Sequence, residues 1–155
     1  MITILEPVAD GSEYAATGWP LHVTIADTFA IDLVGTDLLS RLTELLSHQP
    51  IVETTAADDE YFGTKGQTQV TMLDMSPDLI KLHLDVFNLL ISCGAVFNDP
   101  QYQAAGYRAH VTVQPHVRLN QGGVVVLNNL CLIDMFPGGN PQRRQLVKTI
   151  RFSAE

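Results

Sequence analysis

Two short segments of the same form, one in each half of the chain, constrain the fold more than any other feature. Both have the pattern apolar-His-apolar-Thr-apolar: residues 21–25 read LHVTI and residues 109–113 read AHVTV. Such alternation is typical of a strand with one buried face, so each segment is predicted to place a histidine and a threonine side by side on its other face. The duplication indicates two similar halves that each contribute one such strand.

Each half is predicted to contain one helix and about three strands. The predicted strands cover residues 1–8, 21–27, 51–57, 66–73, 109–114, 123–135 and 145–152, with a polar loop over 10–20 and a hairpin turn over 63–66. One helix is predicted to be capped by Thr36 or Asp37 and to end before Pro50, and the other to run from the Ser76-Pro77 start to Gly94. These elements predict a single α+β domain over residues 1–155. Its two pseudo-symmetric lobes, approximately 1–75 and 76–155, would each be an antiparallel sheet backed by a helix, with a central cleft between them.

Composition narrows the possible partners and the compartment. The 155 residues carry a formal net charge of −8, which excludes a broad cationic surface for long nucleic acids. No apolar run approaches the ~20 residues of a membrane-spanning helix, and the first residues lack the layout of a signal peptide. Cys93 and Cys131 stand in apolar surroundings without a Cys-x-x-Cys motif, so buried free thiols and a cytoplasmic location are expected.

The paired segments contain the groups that phosphodiester cleavage requires. His22 and His110 have an ordinary pKa near 6.5, so one imidazole can remove a proton from the attacking oxygen while the other donates one to the leaving oxygen. The hydroxyls of Thr24 and Thr112 can donate hydrogen bonds to phosphate oxygens. No metal or other cofactor is needed for this chemistry, and the sequence leaves open which histidine is the acid.

The two His-apolar-Thr motifs resemble the signature of the 2H phosphoesterases, which include 2′-5′ RNA ligase-like proteins and 2′,3′-cyclic nucleotide phosphodiesterases. The resemblance spans nearly the whole chain as two lobes. It implies that His22 and His110 are the catalytic pair and that Thr24 and Thr112 bind the phosphate. The implied substrates are small nucleotides or short oligonucleotides: 2′,3′-cyclic phosphates, 2′-5′ linkages or cyclic oligonucleotides. Some short phage-encoded members of that family degrade cyclic oligonucleotide defence signals.

Several other residues are candidates for substrate binding. Trp19 and Tyr107 each precede a motif histidine by three positions, where an aromatic ring can stack on a nucleobase; Tyr61 and Phe62 are further candidates. The cations predicted to meet phosphate are Lys65, Arg108 and Arg143, with Arg118 and Arg144 also available. A few cations around one cleft would focus a small anion there despite the acidic composition.

Three alternatives remain beside a two-histidine phosphodiesterase. A three-histidine zinc site could in principle be formed by His22, His110 and His116. However, Pro115 interrupts the strand that would carry the last two. A nucleotide-binding or sequestering module is a second alternative, and a structural or interaction protein is a third. His48 is predicted to interact favourably with the C-terminus of the first helix, and His83 to be an ordinary surface or boundary residue of the second.

Overall fold

The structure, a computed structural model, describes residues 1–153 as three antiparallel sheets, two α-helices and three short 3₁₀ helices. The strands are β1 Ile2–Ile4, β2 Glu13–Ala15, β3 His22–Thr24, β4 Phe29–Ala30, β5 Val52–Phe62, β6 Thr68–Leu73, β7 Val96–Phe97, β8 His110–Thr112, β9 Val124–Leu127, β10 Asn129–Asp134 and β11 Arg143–Arg151. The helices are α1 Gly35–Leu46 and α2 Pro77–Ser92. No helix in residues 1–153 has the length and apolarity required to cross a membrane.

The two motif strands are edge strands of the two larger sheets. One sheet has the strand order β2-β11-β10-β1-β3 and the other β8-β6-β5-β9, while β4 and β7 form a separate pair. Strands β3 and β8 lie next to each other although they belong to different sheets. This arrangement confirms the predicted α+β fold with two antiparallel sheets, and it brings the two His-Val-Thr segments together.

Neither sheet is built from one contiguous half of the chain. The sheet that ends in β3 combines residues 2–24 with residues 129–151, and the sheet that ends in β8 is formed between them in sequence. The predicted lobe boundary near residue 75 therefore does not separate the two sheets. The predicted strand over residues 123–135 is in fact two strands, because β9 pairs with β5 and β10 pairs with β1 and β11. This apolar run crosses from one sheet to the other.

The two helices pack against each other, and each also covers one sheet. Helix α1 contacts β11 and α2 contacts β5, as predicted for sheets that are each backed by a helix. Ser76 caps α2 as predicted, since its hydroxyl accepts a hydrogen bond from the N–H of Leu79. The cap predicted for α1 is wrong: the N-cap is Val34, which provides no side-chain bond, and Thr36 and Asp37 lie inside the first turn.

Other differences concern strand limits and one cysteine. The loop predicted over residues 10–20 contains β2, which pairs with β11, and the strand predicted to end at residue 57 continues to Phe62 through a bulge. Both cysteines are free, as predicted; Cys131 is buried, but Cys93 at the end of α2 is only half-buried.

Candidate active site

The central valine of each motif anchors its strand in the core. Val23 and Val111 are 0% and 1% exposed, whereas the histidine and threonine on either side of each valine are half-buried. Because successive side chains of a strand point to opposite faces, the imidazole and hydroxyl of each motif share the face opposite the valine. The alternation of apolar and polar residues is therefore what places a histidine and a threonine together on one face of each motif strand.

Both histidine rings are held by the same backbone contact. Nδ1 of His22 lies 2.7 Å from the carbonyl oxygen of Pro20, and Nδ1 of His110 lies 2.8 Å from the carbonyl oxygen of Arg108. In each case the acceptor is two residues before the histidine. A carbonyl only accepts, so Nδ1 carries the hydrogen and Nε2 is the nitrogen that can exchange a proton with a ligand.

Each motif histidine also packs against an aromatic ring that lies beneath an arginine. The ring of Trp19 is 4.8 Å from that of His22, and the guanidinium of Arg144 lies 5.9 Å from the Trp19 ring. In the other lobe the ring of Phe62 is 4.8 Å from that of His110, and the guanidinium of Arg108 lies 5.6 Å from the Phe62 ring. The sequence offered Trp19 and Tyr107 as rings that could stack on a nucleobase, with Phe62 as a further candidate. Phe62 is the ring that packs against His110, whereas Tyr107 stacks on His83.

Two cavities meet at the first motif. The larger, of about 780 Å³, is lined by both motifs and by aromatic rings; among its residues are Thr24, Asp27, Phe62, Tyr107, Arg108 and His110. The second, of about 670 Å³, contains His22 and Trp19 and shares Thr24 and Asp27 with the first. Thr112 is half-buried on the face of β8 that carries His110, but it lines neither cavity.

The predicted cations occupy different positions. Arg108 lines the larger cavity and pairs with Glu60 at 2.6 Å. Lys65 is exposed in the turn over residues 63–66 and is not a lining residue, although its neighbours Gly63 and Thr64 are. Arg143 lies on β11 with its Nε 3.7 Å from the carboxylate of Glu13, and it lines neither cavity. The arginine over the Trp19 ring is Arg144, the neighbour of Arg143 in the pair that the sequence offered as phosphate contacts.

The electrostatic environment favours a neutral His22. Burial lowers the pKa of His22 below its ordinary value, and the nearby His110 lowers it further, whereas the Pro20 carbonyl raises it. The net direction is downward. Burial therefore favours the neutral form of the His22 imidazole.

The third histidine of the zinc alternative has another partner. Nε2 of His116 lies 3.1 Å from both carboxylate oxygens of Glu6. Within residues 1–153, no three His, Cys, Asp or Glu side chains are grouped so that they could hold a metal ion.

His83 was predicted to be a surface or boundary residue, and this prediction is wrong. It is 1% exposed, with Nδ1 2.6 Å from the Ile25 carbonyl and Nε2 accepting the N–H of Ala104 at 2.9 Å. Its ring stacks on Tyr107 at 3.8 Å, and the hydroxyl of Tyr107 donates to the Thr24 carbonyl at 2.8 Å. The sequence did contain a signal, because position 83 falls on the same helix stripe as buried residues 79, 82, 86 and 90.

Comparisons with known proteins indicate a family and a fold. A family model described as the 2′-5′ RNA ligase superfamily matches residues 5–122, a range that includes both motifs. A solved structure described as a phosphoesterase superposes with a TM-score of 0.53 at 16% sequence identity, over 89% of this chain and 86% of that chain. No curated protein sequence gives a significant match. At this identity the structural likeness concerns the fold, while the sequence match concerns the family.

Proposed function

Because the chain belongs to the 2′-5′ RNA ligase superfamily, a superfamily of phosphoesterases, we propose that His22 and His110 cleave small RNA-like phosphodiesters without a metal ion. The observation that carries this proposal is the matched geometry of the two rings. Each projects from an edge strand, and each is fixed through Nδ1 by the carbonyl two residues earlier. Two imidazoles on neighbouring strands, each held through Nδ1 and with its Nε2 unbonded within residues 1–153, suit an in-line displacement, in which one proton leaves and another arrives.

The lowered pKa of His22 supports its assignment as the base. The attacking oxygen would belong either to water or to an adjacent ribose hydroxyl. Neutral His22 would take its proton as that oxygen bonds to phosphorus. Protonated His110 would donate its Nε2 proton to the leaving oxygen as the old P–O bond breaks. Both rings keep their Nδ1 hydrogen throughout, so the backbone carbonyls hold them in the reactive orientation.

Thr24 is the better placed of the two threonines to stabilise the phosphate. It lines both cavities, whereas Thr112 lines neither. We expect Thr24→Val to lower kcat about 10- to 100-fold with little change in stability, because valine keeps the shape and removes the donor. Thr112→Val is expected to have a smaller effect, measured in the same steady-state assay. An equal loss in both variants would show that the two hydroxyls contribute equally to catalysis.

The proposed substrates are small: 2′,3′-cyclic phosphates, 2′-5′ linkages or cyclic oligonucleotides, including phage-type destruction of cyclic oligonucleotide signals. The net charge of −8 and the small number of cations at the cleft support a short ligand over a long nucleic acid. The unpaired Cys93 and Cys131 suit a reducing compartment, so we place this activity in the cytoplasm.

A product assay on a substrate panel tests the proposal. Wild-type protein in EDTA is incubated with 2′,3′-cyclic nucleotides, 2′-5′ dinucleotides and cyclic di- and trinucleotides, and products are identified by phosphorus NMR and chromatography. We expect turnover of at least one class, insensitive to the chelator. Activity that disappears in EDTA and returns with zinc would overturn the metal-free mechanism. Tight binding without turnover would instead identify a nucleotide-binding or sequestering module.

A further inference from the structure

The two cavities that meet at the first motif divide the proposed reaction centre between them. His110 lines the larger cavity and His22 lines the second, whereas Thr24 and Asp27 line both. The shared residues place the boundary between the cavities at the proposed phosphate contact. An in-line displacement has its attacking and leaving oxygens on opposite sides of phosphorus, so the groups attached to them extend in opposite directions. One substrate can therefore fill both cavities at once.

Each cavity has the volume and the aromatic rings to receive one nucleoside. The volumes of about 780 Å³ and 670 Å³ both lie within the usual range of small-molecule pockets, roughly 300–1,000 Å³. Each cavity also has a ring that is largely exposed: Tyr102, 59% exposed, lines the larger one and Phe136, 60% exposed, lines the second. Aromatic rings stack on nucleobases, because every base has a π-face. A ligand with a single base would leave one of these two rings uncovered.

The backbone that carries Phe136 is fixed by hydrogen bonds. Its N–H donates to Oδ1 of Asp134 at 2.8 Å, and Nη1 of Arg144 donates to the carbonyl of Met135, the preceding residue, at 2.9 Å. The guanidinium of Arg144 also lies over the Trp19 ring, which lines the same cavity. An exposed ring on backbone that is already ordered can receive a base at little entropic cost.

The charges of the two cavities differ. Arg108 lines the larger cavity only, and Asp134 lines the second only, while Asp27 is common to both. Within residues 1–153, no lysine or arginine lines the second cavity, and most of its residues are apolar. The negatively charged phosphate should therefore stay at the shared boundary, and the second cavity suits the uncharged base of a nucleoside.

We propose that the site takes substrates with a nucleoside on each side of the scissile phosphate, the leaving nucleoside in the larger cavity and the attacking nucleoside in the second. The inference rests on the proposed function and on its assignment of His22 as the base. A ribose hydroxyl in the second cavity would lose its proton to Nε2 of His22 as its oxygen bonds to phosphorus. The bond from phosphorus to the 5′ oxygen of the other nucleoside would break, and Nε2 of His110 would protonate that oxygen.

The products of this step are a 2′,3′-cyclic phosphate and a nucleoside with a free 5′-hydroxyl. Tyr102 would stack on the leaving base and Phe136 on the attacking base. Stacking does not distinguish one base from another, so the two rings recognise that a base is present on each side and not which base it is.

The test removes one side of the substrate at a time. The reference compound is a 2′-5′-linked diadenylate. In the first truncated compound a methyl group replaces the leaving nucleoside, and in the second a hydrogen replaces the base of the attacking nucleoside. Methanol and a nucleoside 5′-hydroxyl are both alcohols, and the second compound keeps the attacking hydroxyl. In wild type we expect kcat/KM to be about 10- to 100-fold lower for each truncated compound than for the diadenylate.

Two variants, Tyr102→Ala and Phe136→Ala, are matched controls for each other. Tyr102→Ala should reduce the penalty for the methyl ester about 10-fold and keep the penalty for the compound without the attacking base. Phe136→Ala should have the reverse effect. Because both rings are largely exposed, both variants should keep the wild-type midpoint of urea denaturation.

Several outcomes would overturn the inference and leave the phosphodiesterase intact. One is equal kcat/KM in wild type for the diadenylate and either truncated compound, a comparison that needs no variant to fold. Another is turnover of a 2′,3′-cyclic nucleotide but of none of these three compounds. A pattern in which the two variants exchange their effects, or affect both penalties equally, would overturn the assignment of the nucleosides to the cavities.

Failure of the proposed function gives a different result. If the protein turns over no phosphodiester, the phosphodiesterase is excluded, and the three uncleaved compounds are compared by their calorimetric Kd. The same crossed pattern in Kd would support one nucleoside in each cavity, and its absence would overturn that arrangement.

Discussion

Replacing His110 by alanine is expected to lower kcat about 10²- to 10⁴-fold, and replacing His22 is expected to have an effect of the same order. Each substitution removes one of the two proton transfers, and no neighbouring side chain in the motif can replace an imidazole near neutral pH. The double variant should lose far less than the product of the single losses, because the two histidines act in one step. Steady-state kinetics on the best substrate of the panel measure all three variants.

The pH dependence distinguishes the two roles. A bell-shaped profile is expected for wild type, with a base that must be neutral and an acid that must be protonated. Since burial lowers the pKa of His22, the acidic limb should fall below the ordinary histidine value of 6.5. His22→Ala should lose this limb and His110→Ala should keep it. His48→Ala controls for histidine replacement, because His48 is exposed beyond the end of α1. Near-normal turnover in either motif variant would remove that residue from the catalytic pair.

Local patterns in the sequence predicted the parts of the site that depend on local geometry. Alternation around Val23 and Val111 was sufficient to predict two strands with a shared His/Thr face, and the Ser76-Pro77 start predicted α2. These features depend on residues within about one turn or one pleat of each other. The proximity of the two motif strands was also predicted, because the duplicated pattern suggested that both could line one cleft.

Features that depend on tertiary register were not predictable. Phe62 reaches His110 because β5 continues past a bulge to residue 62, an extension that local propensity does not indicate. Arg144 lies over Trp19, whereas the adjacent Arg143 pairs toward Glu13, because neighbouring residues of β11 face opposite sides. A shift of one residue in a strand reverses such an assignment. The sequence therefore offered Arg143 and Arg144 together as candidates, but it could not indicate which of them lies over Trp19.

His83→Leu is expected to lower the free energy of unfolding by about 2–4 kcal/mol, the largest stability effect we expect from a single histidine. Leucine fills a similar volume, but it leaves the buried carbonyl of Ile25 without its donor and removes the ring stacked on Tyr107. The N–H of Ala104 also loses its acceptor. Urea denaturation of wild type and variant measures the difference, with His48→Leu as an exposed control expected within ~0.5 kcal/mol of wild type.

The pH dependence of that stability tests whether His83 is neutral in the folded protein. Burial lowers the pKa of His83, so above pH 6.5 the residue is neutral in both the folded and unfolded states and contributes no pH dependence. As the pH falls below 6.5 the unfolded state binds the proton first, and stability declines until the folded pKa is reached.

Wild type should therefore lose stability between about pH 6.5 and 5, above the range in which carboxylates titrate. His83→Leu should lose less over that interval, with the remainder due to His22 and the buried amino group of Met1, whose pKa values are also lowered by burial. Because neutral His83 accepts the N–H of Ala104 through Nε2, its protonation would also break the bond that holds Ala104 against α2. An unchanged slope in the variant would mean that His83 does not bind Ala104 in its neutral form.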